Sequence, residues 1–152
     1  MRIAAEDPRA ADSKTLLAAM DAFVAETYPD FQVAHMFDAD FLAREAAAFL
    51  VARDDGDAAV ACGALFLPEP GVARINRMYV DPGQRGRGVG AEMLDALEAM
   101  ARERGCTTVR LETGFRQTPA LTLYRSRGYA ERDPFPPYSA DGLRLYFEKP
   151  LQ

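Results

Sequence analysis

The residues with the clearest chemical potential are Arg85-Gly86-Arg87-Gly88-Val89-Gly90, alternating glycines with two arginines just ahead of a helix-period stretch. A strand, a tight glycine turn and a helix make an anion site. The first helical N–H groups have no internal partner, and the helix dipole adds positive charge there. Glycine admits positive φ and lets a phosphate approach the backbone without meeting a Cβ. The expected guest is a di- or polyphosphate, the alternative being a plain surface turn with two solvated arginines. A triphosphate loop of the form GxxxxGK[ST] fails because no lysine follows, and Gly86-x-Gly88-x-Gly90 does not have the GxGxxG spacing of a dinucleotide site. His35, the lone histidine, has a side chain whose usual pKa suits a general base, although a lone histidine beside Met36 and Phe37 is more often a packed or surface residue. Cys62 and Cys106 lie far apart with neither a CxxC pair nor a histidine partner, so neither a zinc site nor a disulfide framework is expected.

These residues need elements to hold them. Arg2 to Glu6 reads as a short strand. A helix follows through Leu16, Met20, Phe23, Val24 and Thr27, with Asp12 or Ser13 as its cap and Tyr28-Pro29 as its end. A second short helix begins near Asp38. Phe49 to Arg53 and Ala58 to Leu67 form a hairpin around Asp54-Asp55-Gly56-Asp57, and Val72 to Val80 is a fourth strand. In that strand Ile75 belongs to one alternation phase while Met78 and Val80 belong to the other. It is therefore either buried on both faces or bulged.

The glycine run opens a helix whose apolar stripe is Val89, Met93, Leu97, Met100 and Ala101, ended at Gly105. Thr107 to Thr113 is the next strand, and Thr118-Pro119 reads as an N-cap with proline at the first position of a helix from Ala120 to Arg127. Tyr129 to Arg132 and Leu143 to Lys149 close the chain around the loop Pro134 to Tyr138. The order β-α-α-β-β-β-α-β-α-β-β predicts an α/β fold, one mixed sheet flanked by helices, in a single domain over residues 1–152.

Arg85-x-x-Gly88-x-Gly90 matches the [QR]-x-x-G-x-[GA] signature of the GNAT superfamily of N-acetyltransferases, and its surroundings strengthen the match. Met78-Tyr79-Val80-Asp81-Pro82 precedes it like the family's fourth strand, and Leu111-Glu112-Thr113 follows like the fifth. Ala120 to Tyr129 resembles the family's A-x-x-L-Y-x-x-x-G-[FY] block, and Gln117 stands where many members carry asparagine. The resemblance covers about Arg74 to Tyr129.

It implies acetyl-CoA as donor. The fourth strand would bulge and part from the fifth, Met78 and Val80 would bind the pantetheine amides beside Tyr79, and the amides from Arg85 to Gly90 would bind the pyrophosphate. Tyr124 would protonate the departing thiolate, since a phenol with an ordinary pKa of about 10 is protonated at neutral pH. Some members carry a glutamate on the fourth strand where this chain has Arg74; Glu112 is the candidate base here, unless it pairs with Arg110 or Arg125. The family's acceptor enters near Tyr28, Phe31, His35, Phe37 and Tyr138, with Asp30, Asp38 and Asp40 available to an ammonium group. The aromatics could instead complete the core and the aspartates cap helices. A longer acyl donor and a CoA-binding sensor without turnover are the alternatives to an acetyltransferase.

A net charge of −5 over 152 residues argues against a nucleic-acid binder and suits an amine acceptor, either a small molecule or a protein amine. No basic head with an apolar run marks a secretory leader, and no stretch has the apolar length of a membrane span, so the expected setting is cytoplasmic. Leu143 to Phe147 is apolar enough for the homodimer contact common in the family.

Overall fold

The computed structural model describes residues 1–31 and 37–152. The elements, in chain order, are strand β1 (Arg2–Ala5), helices α1 (Ala11–Thr27) and α2 (Ala39–Glu45), strands β2 (Ala48–Arg53), β3 (Ala59–Glu69) and β4 (Val72–Val80), helix α3 (Val89–Glu103), β5 (Thr108–Gly114), α4 (Thr118–Ser126), β6 (Ala130–Arg132) and β7 (Arg144–Pro150). A short 3-10 turn, Pro82–Gln84, links β4 to the glycine run. The order is the one expected from the sequence.

The seven strands lie in the order β1-β2-β3-β4-β5-β7-β6. All neighbours are antiparallel except β4 and β5, which run parallel. Apolar side chains fill both faces. Ala73, Ile75, Val109 and Leu111 pack with Met93, Leu94 and Leu97 of α3 and with Leu121 and Tyr124 of α4. On the opposite face Val51, Cys62, Ala64 and Tyr79 pack with Leu16 and Leu17 of α1 and Leu42 of α2. A helix layer on each face is how an α/β sheet hides its apolar sides.

The strand that changes phase does so through a bulge. Cys62 of β3 pairs with Tyr79 and Ala64 pairs with Asn76, so β4 spends one residue more than β3 across this stretch. Arg77 sits at the irregularity with φ +54, in the left-handed region that a branched or bulky residue rarely occupies. The extra residue turns Met78 and Val80 onto the same face as Ala73 and Ile75, toward α3.

Past the bulge, β4 and β5 part company. Their register runs from Val72 with Thr108 to Ile75 with Leu111 and stops there, while β5 continues to Gly114 alongside β7. Tyr79 pairs with Cys62, and the Asp81 N–H bonds the Val60 carbonyl at 2.8 Å. Antiparallel alternation then directs the backbone groups of Met78 and Val80 away from β3, into the split.

Two helix starts differ from expectation. Helix α1 begins at Ala11 behind Ala10, with no side-chain cap. Asp12 is bound by Arg53 at 2.9 Å, and Ser13 is buried. The position before α4 is Gln117; Thr118 is already helical and Pro119 follows it. Asp38 does cap α2, accepting from the Phe41 N–H at 2.8 Å. Strand β7, which carries the apolar stretch Leu143 to Phe147, lies inside the sheet between β5 and β6. Among the described residues, no helix is long and apolar enough to cross a membrane.

Candidate active site

Gly86 and Gly88 have φ +80 and +76, and no atom outside the adjoining chain lies within 4 Å of where a Cβ would stand. The turn thus presents bare backbone. The Glu92 N–H makes a 3.0 Å bond to the Gly88 carbonyl, so the amides of Val89, Gly90 and Ala91 precede the first intrahelical bond of α3. All three residues line a cleft of about 360 Å³, together with Gln84, Arg85, Gly86 and Gly88. This volume lies within the range of small-molecule sites. The Arg85 guanidinium rests 5.0 Å from the Phe23 ring centroid, tying the turn to α1. Arg87 is exposed and does not join the wall.

The cleft continues along the β4 edge past Met78, Tyr79 and Val80 to α4, where Ala120, Leu123 and Tyr124 form the far wall. The Tyr124 side chain is 6% exposed, and its hydroxyl donates to the Met78 sulfur at 3.8 Å. Burial, and then the nearby negative charge of Glu112, push its pKa up. The phenol therefore keeps its proton well beyond neutral pH.

On the other side of the split lies a smaller cavity of about 140 Å³. Tyr28, Phe37 and Tyr138 supply its aromatic wall, and Asp21, Asn76, Arg77, Glu112 and Arg144 its polar wall. Met20 and Gln117 border both spaces. Glu112 is 8% exposed and accepts from Arg74 Nη2 at 2.8 Å and from Asn76 Nδ2 at 3.3 Å. Its second oxygen, Oε2, is buried with no hydrogen-bond partner. Arg74 itself stands 4.5 Å from the Tyr138 centroid and 5.3 Å from that of Phe135, and also donates to the Tyr138 hydroxyl.

The residues expected from the sequence thus divide. Met78, Tyr79, Val80, Arg85, Gly86, Gly88, Val89, Gly90, Gln117 and Tyr124 meet at the larger cleft. Glu112, Tyr28, Phe37 and Tyr138 meet at the smaller cavity. The Tyr28 hydroxyl is already engaged, donating to Gln117 Oε1 at 3.2 Å and accepting from the Arg116 N–H at 3.0 Å. Phe31 stands outside both spaces, in an edge-to-face cluster with Tyr28 and Phe115. Asp30 is held by Arg116 at 2.6 and 2.9 Å. His35 lies outside the described residues. Glu112 pairs with Arg74, while Arg110 takes Glu148 and Arg125 takes Glu131.

With this geometry in view, comparison with known proteins is decisive. The sequence model of the Acetyltransferase (GNAT) family matches residues 16–129, well over half of the chain. The chain belongs to the GNAT acetyltransferase family. An IAA acetyltransferase of Azospirillum brasilense is 39% identical over 150 residues, spanning 98% of this chain and 97% of that relative. The crystal structure of a candidate acyl-CoA N-acyltransferase from Klebsiella pneumoniae superposes with a TM-score of 0.84 at 39% identity, covering 99% of this chain and 97% of that one. The PaiA N-acetyltransferase of Thermoplasma acidophilum, solved in complex with coenzyme A, shares the fold at TM-score 0.76 and 18% identity, with 99% and 100% of the two chains covered. This GNAT member is therefore an acyl-CoA-dependent N-acyltransferase acting on an amine.

Sequence reasoning missed Met20, Asp21, Asn76, Arg77, Arg116 and Arg144 as wall residues. Asn76 and Arg77 alone carried a signal, because they sit inside the phase change of β4. The others reach the site through long-range packing, which local patterns do not report.

Proposed function

We propose that this enzyme moves an acetyl group from acetyl-CoA to a small primary amine by direct attack, with donor and acceptor bound together. One observation carries the reading: the two spaces share Met20 and Gln117 as common walls where β4 has parted from β5, which sets a donor and an acceptor side by side. Acetyl-CoA supplies an activated thioester. The open turn suits its pyrophosphate, since the Cβ-free positions at Gly86 and Gly88 and the free amides at the start of α3 present donors to an anion.

In this reading the amides from Arg85 to Gly90 grip the pyrophosphate, while the Met78 and Val80 backbone groups bind the pantetheine arm. An N–H on this strand also polarises the thioester carbonyl, and being fixed by the sheet it needs little reorganisation. Tyr124 donates its hydroxyl proton to the departing sulfur; its burial keeps that proton in place until needed. Glu112 receives the proton of the attacking amine, directly or through water, at an oxygen that no protein group claims. The acceptor volume suits a small amine: about 140 Å³ compares with the roughly 150 Å³ of an engineered cavity that holds benzene.

Initial rates of thiol release, with acetyl-CoA and a panel of primary amines varied together, test the reading. Intersecting lines support a ternary complex. Parallel lines, or an acetylated enzyme isolated without amine, would replace direct attack with a covalent relay.

A further inference from the structure

The acceptor cavity carries polar groups of both signs. Arg77 is 10% exposed along its side chain, with Nη1 bound to Asp21 at 2.6 Å and Nη2 to the Leu17 carbonyl at 3.3 Å. Its third nitrogen, Nε, is buried without a partner. Glu112, on the β5 side of the same cavity, leaves Oε2 equally unpartnered. A buried polar atom left unpaired is costly. Neither atom is exposed in the cavity, so the cost is recovered when a small turn of these two wall side chains brings the atom against a ligand there. An unclaimed N–H on a cation and an unclaimed oxygen on a carboxylate ask for opposite things. The first asks for an anionic oxygen, the second for an N–H.

Resting on the acetyl-transfer reading, we propose that the natural acceptor is a small amino acid or a close analogue, its amine beside Glu112 and its carboxylate on the Arg77 side of the cavity. Asp21 and the Leu17 carbonyl restrain the guanidinium, so the remaining edge needs only that small turn and loses little freedom on binding. Arg144, at the head of β7, lines the same cavity and adds a second cation for an anionic group. Its ion pair with Asp141 holds it against the loop before β7. The aromatic rings of Tyr28, Phe37 and Tyr138 leave a compact apolar wall for a short side chain. A simple alkylamine would satisfy Glu112 and leave Arg77 Nε as it is. Only a ligand with both groups answers both atoms.

The test uses matched acceptors with acetyl-CoA: a free amino acid, its amide, and the amine left by removing its carboxyl group. The proposal expects kcat/KM for the best amino acid to exceed that for its decarboxylated partner about 10- to 100-fold, the range of a hydrogen bond to a charged group. Arg77→Gln should raise KM for the amino acid by a similar factor and so erase most of its advantage over the decarboxylated amine measured on the same variant. Arg77→Lys, which keeps the charge and loses the fork, should fall between. If the Arg77 variants do not fold, the matched comparison on the unaltered protein still decides. Decarboxylated amines used as well as or better than amino acids would overturn the proposal and leave the acetyl-transfer reading standing. Binding of acetyl-CoA by calorimetry, with no acceptor of either kind turned over, would instead defeat the small-amine reading, and the proposal with it.

Discussion

The Tyr124 hydroxyl lies 3.8 Å from the sulfur of Met78, so the candidate proton donor on α4 touches the strand residue just past the β4 bulge. Tyr124 and the parted strand edge therefore belong to one wall of the cleft. Removing the hydroxyl alone separates chemistry from binding. Tyr124→Phe is expected to lower kcat roughly 10- to 1000-fold while KM for acetyl-CoA changes little. The sign of the pH dependence follows from burial, which raises the phenol above its ordinary value of about 10. A donor must be protonated to act, so kcat should show no basic fall assignable to Tyr124 below about pH 10. Steady-state rates of both proteins from pH 6 to 10 check this, and unchanged turnover with chemistry rate-limiting would remove the acid role.

A methyl group at Gly88 probes the donor turn. Its φ of +76 makes alanine strained by about 1–2 kcal/mol, although no neighbour obstructs the new carbon. Gly88→Ala should therefore lower the unfolding free energy modestly and raise KM for acetyl-CoA on the order of tenfold, as the amides lose their aim. Denaturant titration beside donor-saturation kinetics separates the two effects. An unchanged KM for acetyl-CoA in a folded Gly88→Ala protein would contradict it.

The Arg74–Glu112 pair offers a contrast between partners. Arg74→Met leaves a buried carboxylate without its cation, a loss of about 3–5 kcal/mol for pairs of this kind. Glu112→Gln keeps an acceptor for Arg74 Nη2 and should fold better, yet lower kcat by about 100-fold or more if Glu112 takes the amine proton. Urea midpoints and kcat measured on both variants give the comparison. Equal activity in Glu112→Gln would leave Glu112 a purely structural anion.

Gly114 tests how tightly the junction is built. A Cβ there would overlap the Tyr28 hydroxyl and ring carbon and press on Gln117 Oε1 at 2.7 Å. Gly114→Ala should cost about 1–3 kcal/mol by overpacking, and Tyr28→Phe should fail to rescue it, because the ring carbon remains in the way. Thermal unfolding of the single and double variants reads this directly. Full rescue by Tyr28→Phe would show that only the hydroxyl resists.

The reach of sequence reasoning follows from the range of each interaction. The bulge was legible because Ile75, Met78 and Val80 break a two-residue rhythm within six positions, and helix α3 because its stripe repeats every turn. The open turn announced itself through its glycines. By contrast, the pairing of Glu112 with Arg74 depends on how β4 meets β5, and Arg110 is by far the nearer cation in sequence. The capping of α1 misled for a related reason: Asp12 is a good cap by type but is drawn off by Arg53, forty-one positions away. Phe31 was expected at the acceptor because it is aromatic and close to Tyr28; it turns instead to Phe115 and Arg116.

The two halves of the site are made of different material. In the proposed reading the donor half would rely on main-chain amides exposed by a glycine turn and a parted strand, whereas the acceptor half would be walled by the side chains of Arg77, Glu112, Tyr138 and Arg144. Main-chain groups survive most substitutions; side chains do not. Drift at a few acceptor positions can thus redirect this scaffold to a new amine while its hold on the common donor is inherited unchanged. Gene duplicates of such a chain would diverge first at those wall positions and last along the strand edge and turn.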